Sequence, residues 1–239
     1  SSHPDATHVS AEEERARLAP VLSELVAAGI PVSVDSHLPE TQLFALEHGA
    51  AYLNDIHGFA DPGMYDTLAR ADCRLVVMHA VQKAGHATRV ETDADVVLAG
   101  IEDFFDARLR VLRDAGVPPG RLVIDPGLGY FLGSTPEPSV AALGRIRDLK
   151  ERFGLPVLVS PSRKSFLRAL TGRALADIGP GTLAAELYAA SQGVDYIRTH
   201  DVAALRDALT VVRALAGSDQ RGSRGRNTLI APGSRLAQA

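Results

Sequence analysis

PVSVDSHLPETQLFALEHGAAYLNDI, residues 31–56, carries the pattern that sets the fold class. Its ends, Pro31–Val34 and Ala51–Ile56, are short runs rich in apolar and β-branched residues, as strands are. Between them lies one helical segment. Pro39 suits a first helical turn, where its missing N–H costs nothing. Phe44, Ala45 and His48 continue the helix until Gly49 stops it. Strand, helix, strand without a hairpin turn is a crossover unit, and crossovers join parallel strands. Each strand also runs into polar residues: Asp35 after the first, Asn54-Asp55 within the second.

The same unit repeats in both directions. Upstream, Ser10 and Glu13 form a capping box. Leu18, Val21, Leu22, Leu25 and Val26 then make one apolar helical stripe, ended by Gly29. Downstream, Arg74–Met78, Arg121–Ile124, Pro156–Val159 and Asp195–Ile197 read as strands. Their nearly continuous apolar character predicts strands covered on both faces. Helices are predicted over Asp93–Ala115, Glu137–Phe153, Gly181–Gln192 and Val202–Ala216. A (β/α)8 barrel has eight strand–helix units, and six are legible here. The opening Ser1-Ser2-His3-Pro4 resembles a loop just past a strand, so two strands and one helix are expected upstream of Ser1. The fold class is therefore read as α/β, a TIM (β/α)8 barrel lacking those elements. An open doubly wound sheet fits the same count, but no glycine-rich dinucleotide fingerprint accompanies it. Residues 1–216 form the incomplete barrel domain in this reading, and 217–239, polar and arginine-rich, a disordered tail.

Composition narrows the function. The net charge of −4 comes without a Lys/Arg stripe, which argues against a nucleic-acid partner. No apolar run reaches the ~20 residues of a membrane span, and no secretory leader is visible, so a cytoplasmic protein is expected. Cys73 is the one cysteine, which excludes an intrachain disulfide and reads as a small core residue.

In parallel α/β folds, ligands gather at the carboxyl ends of the strands. Six strands here end in or run to polar groups: Asp35, Asn54-Asp55, His79, Asp125, Ser162-Arg163-Lys164 and Arg198-Thr199-His200. Ser36 and Asp55 read most simply as local caps. Lys164 does not, because a cation at a helix start opposes the helix dipole. Arg163 can point to solvent. Arg198 and His200 fall on one side of the last strand and offer donors suited to a phosphate or diphosphate. Asp35, Asn54 and Asp125 offer acceptors, suited to a flat heterocycle rich in N–H. Acceptors for a ring and cations for an anion together suggest displacement of diphosphate from a heterocyclic substrate. No Ser/His/acid triad, cysteine nucleophile or zinc spacing is legible.

The segments SVDS (33–36), LNDI (53–56), VVMH (76–79), IDPGLG (124–129), SRKSF (162–166) and IRTH (197–200), in this order, resemble the dihydropteroate synthase family. The resemblance runs from Ser1 to about Ala216. The stretches SSHPDA, YLNDIHGF, CRLVVMH and GYFLG are closer to its sulfonamide-insensitive (Sul-type) branch. The resemblance implies that p-aminobenzoate displaces diphosphate from 6-hydroxymethyl-7,8-dihydropterin diphosphate, giving 7,8-dihydropteroate for folate biosynthesis. It implies pterin contacts from Asp35, Asn54, Met78, Asp125 and Lys164. Diphosphate contacts would come from Arg198, His200 and His3. The p-aminobenzoate pocket would involve Ser2, Pro4, Tyr130, Phe131, Ser162 and Arg163. It further implies Mg2+, whose asparagine ligand would lie upstream of Ser1, and a homodimer. His3 departs from the arginine usual in housekeeping members. A pterin-binding methyltetrahydrofolate methyltransferase shares the acceptors but has no use for the SRKS and RTH cations. A catalytically inactive fragment is the remaining alternative.

Overall fold

The computed structural model describes residues 9–81 and 93–219, the side chains to Gly217. Ser2, His3 and Pro4 lie outside these residues. The described residues divide into two compact units, 9–81 with 99–126, and 93–98 with 127–219.

The first unit contains a four-stranded sheet. Helix α1 (Ala11–Ala27) starts at Ser10, whose side chain accepts a hydrogen bond from the Glu13 N–H at 3.2 Å. Strand β1 (Ser33–Asp35), α2 (Pro39–Glu47), β2 (Tyr52–Asp55), α3 (Tyr65–Arg70), β3 (Arg74–Met78), α4 (Ala94–Asp114) and β4 (Leu122–Asp125) follow. The strand order is β1-β2-β3-β4 and every pair is parallel. The predicted face of α4 is the buried one: Val97, Ile101, Phe105, Leu109 and Leu112 are each at most 2% exposed. Burial on both faces holds for β3 after Arg74 and throughout β4. It fails at β1, where Val34 is buried but Ser33 and Asp35 are exposed. Only the face carrying Val34 is covered by described residues.

The second unit contains α5 (Glu137–Gly144), α6 (Ile146–Phe153), β5 (Leu158–Val159), α7 (Ser165–Thr171), α8 (Gly179–Ser191), β6 (Tyr196–Ile197) and α9 (Val202–Asp219). β5 and β6 pair in parallel, Leu158 with Tyr196 and Val159 with Ile197. The single helix predicted over 137–153 is two helices. Gly144, a poor helix former, closes the first, and Arg145 (φ −103°, ψ 9°) sits outside helical geometry. α9 continues to Asp219, three residues past the expected boundary at Ala216, because Gly217 alone does not outweigh a helix already nucleated.

Candidate functional site

In the first unit the register fixes which side chains share a face. Asp35 pairs with Asn54 and Asn54 with Val76; Met78 pairs with Asp125. Paired residues of parallel strands project to the same side, and the side alternates along each strand. Met78 lies two residues beyond Val76, and Asp125 two beyond Val123, Val76's own partner. Asp35, Asn54, Met78 and Asp125 therefore project from one face of the sheet. Asp55 projects from the other, where its Oδ2 accepts from Gln42 Nε2 of α2 at 2.8 Å.

That separation explains the roles of neighbouring acids. Asp55 is 3% exposed, accepts from the His57 N–H at 2.7 Å, and is held above the usual carboxylate range by burial. Ser36 accepts from the Leu38 N–H at 3.1 Å and donates to Glu14 at 2.6 Å. Neither is a helix N-cap; both brace turns locally. On the opposite face, Asn54 is 5% exposed and its Oδ1 has no hydrogen-bond partner among the described residues. A buried, unanswered acceptor costs stability unless a ligand's donor completes it. Asp125 is 3% exposed. His79, which the sequence placed at a strand end but gave no ligand contact, braces the chain at Asp125 and Pro126. Its N–H donates to the Asp125 carbonyl at 2.8 Å, and its Nδ1 lies 3.2 Å from the Pro126 carbonyl. Burial lowers the His79 pKa to about 4, so the ring is neutral at pH 7.

In the second unit the cations gather. β5 leads to Ser162-Arg163-Lys164 and β6 to Arg198-Thr199-His200. The ladder runs one residue past β6, the Arg198 N–H donating to the Val159 carbonyl at 2.9 Å. Arg198 and His200 are exposed, whereas Thr199 between them is half-buried, so alternation persists through the turn. Ser162 Oγ lies 2.9 Å from His200 Nδ1 and accepts the His200 N–H at 3.3 Å. Burial, then the positive charges of Arg163, Arg198 and Lys164, hold His200 below the usual imidazole range. One imidazole thus feels three cations, a field that favours an anion.

Lys164 flanks α7 without a side-chain cap, and its Nζ lies 4.8 Å from the centroid of the buried Phe131 ring. Tyr130 beside it is half-buried. Gly129 makes this approach possible: at φ +68° a Cβ there would come within 3.2 Å of Ser165 Oγ and 3.3 Å of Lys164 Cδ. Its N–H donates to the buried Ser139 Oγ at 2.9 Å. Sequence reading had no signal for Ser139. Among the described residues, no group of three or more His, Cys, Asp or Glu side chains is arranged to hold a metal ion. No helix of the described residues is long and apolar enough to cross a membrane.

Residues 1–200 match the family described as pterin binding enzyme. The chain is 56% identical over 215 residues to dihydropteroate synthase type-2 of Escherichia coli, covering 90% of this chain and 79% of that one. It is 49% identical over 227 residues to the type-1 enzyme of Escherichia coli, covering 95% and 81%. Identity to the dihydropteroate synthase of Neisseria meningitidis is 34% over 218 residues, covering 90% and 76%. Among solved structures, Xanthomonas albilineans dihydropteroate synthase with 4-aminobenzoic acid matches at a TM-score of 0.81 and 38% identity, covering 90% of this chain and 76% of that one. The Burkholderia cenocepacia enzyme complexed with 7,8-dihydropteroate matches at 0.81 and 31%, covering 92% and 80%. Likeness at this level places the fold in the (β/α)8-barrel class, and the chain belongs to the pterin-binding enzymes, in the dihydropteroate synthase family.

Proposed function

We propose that this chain catalyses attack of the p-aminobenzoate amine on 6-hydroxymethyl-7,8-dihydropterin diphosphate, releasing diphosphate and 7,8-dihydropteroate. The observation that carries the reading is the shared face of Asp35, Asn54, Met78 and Asp125, with the unanswered Asn54 Oδ1 among them. Acceptors in that row suit the N–H groups of a pterin, and Met78 supplies polarisable apolar contact to its ring. Lys164 adds a donor to the same substrate. Arg198 and His200 hold the diphosphate; their work is to stabilise charge that grows on the leaving group as the carbon–oxygen bond breaks. His3 belongs to the same role by resemblance. Ser162, Arg163, Tyr130 and Phe131, with Ser2 and Pro4, shape the p-aminobenzoate pocket.

Mg2+, when bound, would assist departure of the diphosphate that Arg198 and His200 hold. The protein works in the cytoplasm as a homodimer in this reading. The higher identity to the numbered synthase types than to the Neisseria meningitidis enzyme supports the sulfonamide-insensitive branch. The test is product formation by the purified chain from the two substrates. Lys164→Ala should lower kcat/KM by roughly 100-fold or more, the scale of losing one charged transition-state contact. A chain inert under conditions that turn over a housekeeping synthase overturns the reading. Sulfamethoxazole at a concentration that stops that enzyme should leave this one working; equal inhibition removes the branch assignment.

A further inference from the structure

Helix α8 carries a buried carboxyl group that the proposed reaction does not use. Thr182, Glu186 and Ala190 form one row at i, i+4 and i+8, and are 7%, 2% and 8% exposed. Ala190 packs with Leu205 and Leu209, and Leu183 and Leu187 lie against that cluster. A glutamate in such a stripe is costly to bury and needs a partner. It has one: the Glu186 carboxylate accepts a hydrogen bond from the Thr199 side chain. An ionised carboxylate can only accept, so the Thr199 hydroxyl is the donor, while its oxygen accepts the Asp201 N–H at 3.2 Å. Asp201 in turn caps α9, its Oδ1 accepting from the Ala204 N–H at 3.0 Å. Glu186 thus grips the buried back of the turn whose exposed front carries Arg198 and His200.

The same helix holds the facing loop. Thr182 Oγ1 accepts the Arg163 N–H at 3.3 Å. Arg163 needs such support, since at φ +61° it lies in a region that disfavours side-chain-bearing residues. Ser162 and His200 then join the two loops directly at 2.9 Å. Burial holds the Glu186 carboxyl above its ordinary range, against the Thr199 bond, and nearby Asp201 adds to the rise. Its other oxygen, Oε1, has no partner among the described residues. An apolar residue would fill this row without that cost, and would leave Thr199 without its acceptor.

We propose that Glu186 is a positioning residue for anion binding: acting through Thr199 it sets the orientation of Arg198 and His200, while Thr182 one turn earlier pins Arg163 to the same helix. This rests on Arg198 and His200 being the diphosphate ligands. Steady-state kinetics on the full chain, with inorganic diphosphate as product inhibitor, test both layers. Glu186→Ala and Thr199→Val should each raise the KM for dihydropterin diphosphate, and the inhibition constant of inorganic diphosphate, by about ten-fold. The KM for p-aminobenzoate should rise less, since Ser162 alone links its pocket to His200. Glu186→Gln, which keeps an acceptor for Thr199, should remain within about two-fold of the parent. The double variant should be no worse than the worse single one, because both remove one link. Losses that add in the double variant overturn the proposal, as does an equal change in both KM values in step with a fall in Tm. Should Glu186→Ala fail to fold, Thr199→Val and Glu186→Gln decide alone. Arg198→Ala separates the layers. If it leaves diphosphate inhibition intact, the diphosphate reading itself fails. If it abolishes inhibition while Thr199→Val does not, only the positioning role falls.

Discussion

Asn54 shows how a proposed binding residue differs from a stabilising one. Its buried Oδ1 lacks a partner, so the folded chain carries a desolvation cost of about 1–3 kcal/mol at this atom. Asn54→Leu, which keeps the branched heavy-atom skeleton, should therefore leave Tm unchanged or higher. The KM for dihydropterin diphosphate should rise by at least about ten-fold. A lower Tm with an unchanged KM would make Asn54 a structural residue. His79 is the reverse case. Its ordinary value of 6.5 falls to about 4 on burial, so the folded protein refuses a proton that the unfolded chain accepts. Its contribution is complete above pH 6.5 and is lost as pH falls from 6.5 toward 4. Between about pH 7.5 and 5 the loss is about 2 kcal/mol. Urea unfolding should show that slope, and His79→Asn, which keeps an N–H for the Pro126 carbonyl, should flatten it. Equal slopes in both proteins would refute the assignment. Asn54 was legible in the sequence because it ends an apolar strand. The work of His79 was not, because its partner Pro126 lies 47 residues away and only the β3–β4 register brings them together.

Elements were legible where periodicity was long and illegible where backbone geometry intervened. α4 and β3 emerged within a residue of expectation, since each has an unbroken apolar pattern. α3 was missed: with six residues it is too short to show a stripe. The break between α5 and α6 turns on Gly144 and Arg145, and glycine inside an apolar pattern does not say whether it bends or only weakens a helix. The loop of residues 127–133 depends on backbone signs that no pattern reveals. Gly127, Gly129 and Gly133 all have positive φ. Gly129 is closely hemmed, with Lys164 and Ser165 side chains where a Cβ would stand. Gly129→Ala should cost about 2 kcal/mol from the left-handed backbone and the displaced neighbours. It should also move Lys164, lowering kcat/KM beyond what the stability loss explains. Thermal melts beside kinetics on the folded fraction check this. Stability lost with kcat/KM intact would mean that the loop does not set Lys164.

At the scale of the whole molecule, the proposed function gives the two ends of the strands different work within each unit. The carboxyl ends carry Asn54, Asp125, Lys164 and Arg198, while the amino ends carry clamps on backbone groups. In the first unit Arg121, just before β4, donates to the carbonyls of Cys73, Ala69 and Leu68 at 2.7, 3.1 and 2.7 Å. It ties the end of α3 to the start of β3. In the second unit Asp195, just before β6, accepts from the Val157 N–H at 2.8 Å and from Lys150 Nζ at 2.7 Å. Lys150 also donates to the Gly193 carbonyl at 2.9 Å. The sequence placed Arg121 and Asp195 at strand starts but showed none of these bonds, because main-chain partners leave no mark in composition. In barrel enzymes chemistry belongs to one face and stability to the other, so the two sets of substitutions should separate. Arg121→Ala removes three charge-assisted bonds at once and should cost about 3 kcal/mol in urea unfolding. The protein that remains folded should keep its kcat/KM, since nothing at the carboxyl ends has moved. A kcat/KM that falls by ten-fold or more at full folding would show that the clamp reaches the site, and the division between the two ends would not hold for this chain.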